Sequence, residues 1–290
     1  MKLCRYGPKG QEKPGVVDAD GRIRDLSALV GDITANEVRL SQLAKLRAAD
    51  LNALPVVEGQ PRYGVPVANI GKIIAVGLNY ADHAAESNLP VPPEPIYFTK
   101  ATSSLCGAND DVMKPLDSTK MDWEVELGFI IGKTCRYVDV KDALDHIAGY
   151  VLVNDVSERA FQKERGSQWV KGKGCDTFCP TGPWLVTADE LGDPQNLDMF
   201  LDVNGQRMQT GNTKTMIFPV AEALAYISRF VTLQPGDLVI TGTPPGVGEG
   251  KKPNPIYLQH GDTMHLGVSK LGEQKQTVVP FSLAGLEIIE

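Results

Sequence analysis

Short apolar runs, each closed by a Gly-, Pro- or Asp-containing turn, dominate the chain, and that spacing predicts strands far more often than helices. Residues 72–78 (KIIAVGL), 95–100, 123–131 and 150–156 are the clearest runs. Asn204-Gly205, between Phe200–Val203 and Arg207–Gln209, predicts a two-residue hairpin, because these residue types tolerate the positive φ such a turn needs. Gly236-Asp237 and Gly261-Asp262 each lead into a further strand. Helical spacing is best over 220–230, where Ala221, Leu224, Ile227 and Ser228 share a face, with shorter candidates at 41–49 and 81–87.

The first 70 residues read as a small unit. Gly15-Val16-Val17 and Ile23-Arg24-Asp25-Leu26 flank the turn Asp18-Ala19-Asp20-Gly21, and a Pro- and Gly-rich stretch at 54–66 resembles a linker. The expectation is therefore a small N-terminal α/β unit over 1–70 and a main domain over 71–290. Neither repeats nor low-complexity tracts are evident. The order of elements gives an α+β, β-dominated fold and not the regular alternation of a doubly wound sheet.

Composition narrows the partners. A formal net charge of −7 and a hydrophobic content of 42% describe an acidic chain able to bury a full core. That balance argues against nucleic acid as the main partner, since phosphate binding needs concentrated Lys and Arg. It still allows a local basic pocket for a small anionic substrate. No run approaches the roughly 20 apolar residues of a membrane helix, and no apolar segment follows the early charges as in a secretory signal. The five cysteines are scattered and odd in number, which fits a reducing compartment, and the cytoplasm is the expected location. Cys175 and Cys179 form a single C-x₃-C, weak grounds for zinc.

Chemistry concentrates in Asp122-Trp123-Glu124-Val125-Glu126-Leu127. The strand period of two puts Asp122, Glu124 and Glu126 on one face and Trp123, Val125 and Leu127 on the other. Such a face can simply be solvated. Here the run continues into Phe129-Ile130-Ile131, so the acids are carried towards the core. Buried neighbouring carboxylates need a cation or a shared proton, and hard cations take oxygen ligands of this kind. Asp155 ends a second apolar run; it either joins such a set or caps the helix that follows, a role for which Ser157 is better placed. His83 and Glu86, three apart, share a helix face and form either a surface pair or an oriented general base.

The order E-x-E, N-D-V-S-x-R-x-x-Q (Asn154 to Gln162), K-G-x-D-T-F-C-P-x-G (Lys173 to Gly182) and T-G-T-P-x-G-V-G (Thr241 to Gly248) resembles the fumarylacetoacetate hydrolase family over about 70–290. Gly77–Glu86 resembles its bacterial sugar-acid branch, whose members look like 2,4-diketo-3-deoxy-fuconate hydrolases and are often labelled ureidoglycolate lyases. The resemblance implies a mixed β-roll, usually homodimeric, with Glu124, Glu126 and Asp155 as ligands of Mg²⁺, for which Mn²⁺ or Ca²⁺ can substitute. It leaves Asp122 outside the metal set. It also implies that Lys173 contacts substrate beside the metal, with Arg159, Gln162 and Thr243 as further substrate contacts, although Lys173 could also be a surface lysine and Thr243 part of a plain turn. His83 and Glu86 match a catalytic pair on a lid. Two positions depart from the pattern: Cys175 stands where relatives carry an aromatic residue, and Ala160 where they often carry an acid.

The reaction implied is hydrolytic C–C cleavage of a 2,4-dioxo acid to pyruvate and a second acid. Lyase action on ureidoglycolate, decarboxylation of a β-keto acid, or keto–enol isomerisation would use the same residues, and a non-catalytic keto-acid binder or a structural protein with merely solvated acids are the remaining alternatives.

Overall fold

The computed structural model describes residues 1–81 and 91–286. It begins with strands β1 (Lys2–Tyr6), β2 (Lys13–Val17) and β3 (Ile23–Asp25), then a helix at Leu40–Ala48. The first long stretch of the main body carries β4 (Ile73–Gly77), β5 (Ile96–Lys100), β6 (Leu105–Gly107), β7 (Val112–Lys114), β8 (Met121–Asp122), β9 (Val125–Ile131) and β10 (Ile147–Asn154). Beyond it come β11 (Ser157–Glu158), β12 (Cys179–Thr181), β13 (Leu185–Thr187), β14 (Asp198–Val203), β15 (Gln206–Asn212), β16 (Leu238–Ile240), β17 (Thr263–Val268) and β18 (Gly272–Pro280).

An 11-stranded sheet runs β3-β2-β1-β13-β10-β9-β16-β4-β5, with β12 on β10 and β6 on β12. It is mixed: β9 is antiparallel to β10 and β16, whereas β16 is parallel to β4. A second, five-stranded sheet has the order β15-β14-β17-β18-β7, and neither closes into a barrel. The mixed, β-dominated architecture is the one expected. The N-terminal strands extend the large sheet, because Lys2 and Leu3 pair with Val186 and Leu185.

Strand β9 is buried on both faces. Val125, Leu127, Phe129 and Ile131 enter the larger apolar cluster, which continues under the second sheet through Met199, Leu201 and Leu266. Ile130 faces the other cluster with Val151, Val153 and Leu238. Gly128 lies on that same face, where a Cβ would come within 2.9 Å of Val153 Cγ2. Hence the Glu124/Glu126 face does dive into the core, as the continuation into Phe129-Ile130-Ile131 predicts.

Local predictions hold with instructive exceptions. Asn204 and Gly205 both adopt positive φ between β14 and β15, as the hairpin requires. The helix expected over 220–230 is Val220–Ile227, with Val220, Ala223, Leu224, Ala225 and Ile227 buried. Its end tightens, the N–H groups of Arg229 and Phe230 donating three residues back to Tyr226 and Ile227, and Phe230 packs outside on Tyr97 and Tyr226. Ser157 is not the cap of the following helix, Arg159–Glu164. Glu158 takes that position and accepts from the Ala160 N–H, while Ser157 Oγ donates to the Asp155 carbonyl.

Candidate active site

Glu124, Glu126 and Asp155 converge where β9 begins and β10 ends. Asn154 pairs with Val125 across the two strands, and the Asp155 N–H donates to the Glu124 carbonyl at 2.8 Å. The ladder is interrupted at Trp123 and Glu124, and the Glu124 N–H bonds instead to Asn154 Oδ1 at 3.2 Å. The three carboxylates each offer an oxygen within 4.8 Å of the others, and all three are buried.

Cations surround two of them. Lys173 Nζ lies 2.7 Å from Glu124 Oε2 and 2.6 Å from Asp155 Oδ2. Lys100 Nζ, fully buried, reaches Asp155 Oδ1 at 2.5 Å. Arg159 bridges Glu124 Oε1 at 2.7 Å and Asp122 Oδ2 at 2.9 Å. Asp122 also accepts from the N–H groups of Trp123, Gly248 and Glu249 at 2.8, 2.6 and 3.0 Å. It braces the loop after Thr243 and is not one of the three converging carboxylates.

Glu126 differs. Among the described residues it makes no ion pair, and its hydrogen bond comes from the Gly242 N–H at 2.7 Å. Burial, reinforced by the charges of Asp155 and Glu124, pushes its carboxyl well above the ordinary carboxylate range. Burial alone would lower the ammonium of Lys173, but Asp155 and Glu124 outweigh it and hold the group above its usual value. Asp122, Glu124 and Asp155 are each paired with one or more of Arg159, Lys100 and Lys173, and among the described residues Glu126 is the carboxyl of this group left without a cation. An all-oxygen set with a carboxyl so left suits a hard divalent cation such as Mg²⁺. Among the described residues the set contains neither His nor Cys, which disfavours the softer metals.

The triad forms the floor of a cleft of about 580 Å³, counting its open mouth, walled by Gly77, Phe98, Trp169, Gly242 and Thr243. Arg159, Gln162, Lys163 and Glu249 line it as well. Gln162 is buried and accepts from Arg159 Nη1 at 3.3 Å. Lys173 lies over the Phe98 ring at 5.3 Å. Gly77 is needed for the wall, since a Cβ there would meet the Trp169 ring at 2.9 Å. Thr243 is buried at the edge of the floor. Its hydroxyl donates to the Val125 carbonyl at 2.9 Å and accepts from Gln209 Nε2 at 2.8 Å. The hydroxyl hydrogen is thus engaged within the protein.

The fold brings together Glu124, Glu126, Asp155, Arg159, Gln162, Lys173 and Thr243 around one cleft. His83 and Glu86 lie outside the described residues. Two residues absent from the sequence-based expectations belong to the site. Lys100 closes an ordinary strand, and its partner Asp155 is 55 positions away. Gln209 comes from the second sheet and joins Val125 to Thr243. Neither has a local motif; the only hint for Lys100 is a charge ending an apolar run.

A buried carboxylate triad at the foot of a cleft, on a mixed-β scaffold, is a layout suited to an enzyme acting on small acids. The family model for the fumarylacetoacetate (FAA) hydrolase C-terminal region matches residues 72–279, and the chain belongs to that family. It is 64% identical over 288 residues, 99% of both chains, to a 2,4-didehydro-3-deoxy-L-rhamnonate hydrolase of Sphingomonas sp. strain SKA58. Among solved structures it resembles a fumarylacetoacetate hydrolase from the psychrophile Exiguobacterium antarcticum, with a TM-score of 0.85 and 36% identity over 97% of this chain and 100% of that one. It also resembles a maleylpyruvate hydrolase from Sphingobium sp. SYK-6 in complex with manganese(II) and pyruvate, with a TM-score of 0.81 and 33% identity over 97% and 100% of the two chains.

Proposed function

We propose that this enzyme is a metal-dependent hydrolase that cleaves a C–C bond of 2,4-diketo-3-deoxy sugar acids, releasing pyruvate and a second acid. The observation that carries the reading is the buried Glu124–Glu126–Asp155 triad with Lys173 bonded to two of its members. These three residues would hold Mg²⁺, with Mn²⁺ or Ca²⁺ able to substitute. A divalent ion bound there supplies Lewis acidity towards the substrate's 1-carboxylate and 2-oxo group.

The side chains of the cleft divide the rest of the work. Lys173 keeps its ammonium charged beside Glu124 and Asp155 and would offset the charge that the oxygen of the departing enolate gains. Arg159 and Gln162 form a buried polar wall beside it. Thr243 fixes the turn that aims the Gly242 N–H at Glu126, and contact with a substrate carboxylate there would fall to the backbone. His83, oriented by Glu86, takes a proton from water. The water oxygen bonds to C4, the C3–C4 bond breaks with its electron pair passing to C3, and C3 is then protonated. One water is consumed and two acids form.

The relative from Sphingomonas supports this substrate class by its name, and the pyruvate in the maleylpyruvate hydrolase complex fits the product. The same family resemblance supports a cytoplasmic homodimer with a catalytic region over 71–290, which light scattering on the purified chain would test for assembly.

The test is stoichiometric. Chelator-treated protein resupplied with Mg²⁺ should release pyruvate and a hydroxy acid one to one from a 2,4-diketo-3-deoxy acid. His83→Ala should abolish that turnover while Mn²⁺ still raises the melting temperature. No release from any dioxo acid would sink the hydrolase reading, and equal loss of metal binding in the variant would make His83 structural.

A further inference from the structure

The cleft holds a second charged pair beyond the triad. Lys163 Nζ and Glu249 Oε2 lie 2.5 Å apart, with side chains 48% and 33% exposed, and both line the cleft. The pair is fixed from two directions. Glu249 follows the stretch whose N–H groups Asp122 holds, its own included. Lys163 sits on the short helix Arg159–Glu164, whose first turn is capped by Glu158.

Arg159 links this pair to the metal carboxylates. Its guanidinium touches Glu124 Oε1 at 2.7 Å and, through Nε, approaches Glu249 Oε2 at 3.8 Å. The pair therefore stands one guanidinium away from Glu124, on the mouth side of the cleft. A dioxo acid with its carboxylate end over the triad would direct the carbons beyond C4 towards that mouth. An ammonium has three donors and a carboxylate several acceptor sites, and Lys163 and Glu249 spend one of each on one another. Together they offer a donor and an acceptor side by side, which is the complement of an alcohol.

We propose that Lys163 and Glu249 are specificity-determining residues that recognise the hydroxyl on the carbon next to C4, selecting deoxy-sugar-derived dioxo acids over plain acyl pyruvates. The inference rests on the hydrolase reading above. Lys163 donates to the hydroxyl oxygen, and Glu249 accepts the hydroxyl hydrogen. Sites that pair with a substrate hydroxyl reject analogues lacking it, because their polar groups are then left unmatched. Since this pair is partly exposed, water softens that penalty, and a discrimination of about tenfold is expected rather than the larger factors of buried sites.

The experiment compares kcat/KM for 2,4-diketo-3-deoxy-rhamnonate and for 2,4-dioxohexanoate, the same skeleton without the hydroxyl, in wild type, Lys163→Met and Glu249→Gln. The expected result is a wild-type preference for the hydroxylated acid that falls about tenfold in each variant, chiefly through KM. A preference unmoved in both variants, or an equal fall for both substrates, overturns the assignment while leaving the hydrolase reading intact. Wild-type protein that turns over neither acid overturns both.

Discussion

Glu126 is the residue at which stability and proposed function pull apart. Its raised pKa means the folded chain binds this proton more tightly than the unfolded chain does. Without metal, that contribution is fully present below the ordinary carboxylate pKa and is lost as pH rises towards the folded value. Glu126→Gln should thus raise the melting temperature of the metal-free protein, more at about pH 8 than at about pH 5. The same variant should lose the gain that Mn²⁺ gives the wild type. A melting difference independent of pH would contradict this account of Glu126. Lys100 is its counterpart: removing its ammonium leaves Asp155 with Lys173 as its remaining cation. Lys100→Met should cost about 3–5 kcal/mol in metal-free urea unfolding, the range for breaking a buried pair, and weaken metal affinity by misplacing Asp155. A near-neutral ΔΔG would mean that the lysine is dispensable. The acids were legible in the sequence because a period of two and a following apolar run announce a buried face. Lys100 was not, since ion pairs between distant strands leave no local pattern.

Among the elements, the turn that follows β16 matters most. Gly242 has φ +92°, and a Cβ there would approach Asn79 Cβ at 2.9 Å and the Val76 carbonyl at 3.0 Å. Asn79 already ties this place together by donating to the carbonyls of Thr241 and Phe218. Gly242→Ala should therefore destabilise the fold by about 1–3 kcal/mol through backbone strain and lower metal affinity by turning its N–H away from Glu126. Unfolding curves and a Mn²⁺ titration read the two effects separately, and an unchanged titration would show that the N–H does not position the carboxylate. Turn chemistry was readable wherever few residues decide it, as at Asn204-Gly205. Residue preference favours Ser157 as the cap before Arg159, and it cannot show that Ser157 Oγ turns back to the Asp155 carbonyl.

At the scale of the whole molecule, the back of the site is built by the second sheet. Gln209 from β15 accepts from the Val125 N–H and donates to Thr243, and Gln276 from β18 accepts from Asn154, whose side chain holds the Glu124 N–H. Strand segments were legible one by one, but their order was not. Pairings such as β1 with β13 join residues more than 180 positions apart, and nothing in an apolar run names its neighbour. The ordered motifs of the family supplied what periodicity could not, namely that the acids of β9 and the end of β10 meet. The central claim, hydrolysis that depends on a metal at Glu124, Glu126 and Asp155, is tested most directly by pyruvate release from chelator-stripped enzyme during a Mg²⁺ titration. The account predicts negligible turnover at the start, recovery that follows metal occupancy, and no recovery in Glu126→Gln. Full turnover by the stripped enzyme, or full recovery in that variant, would contradict it.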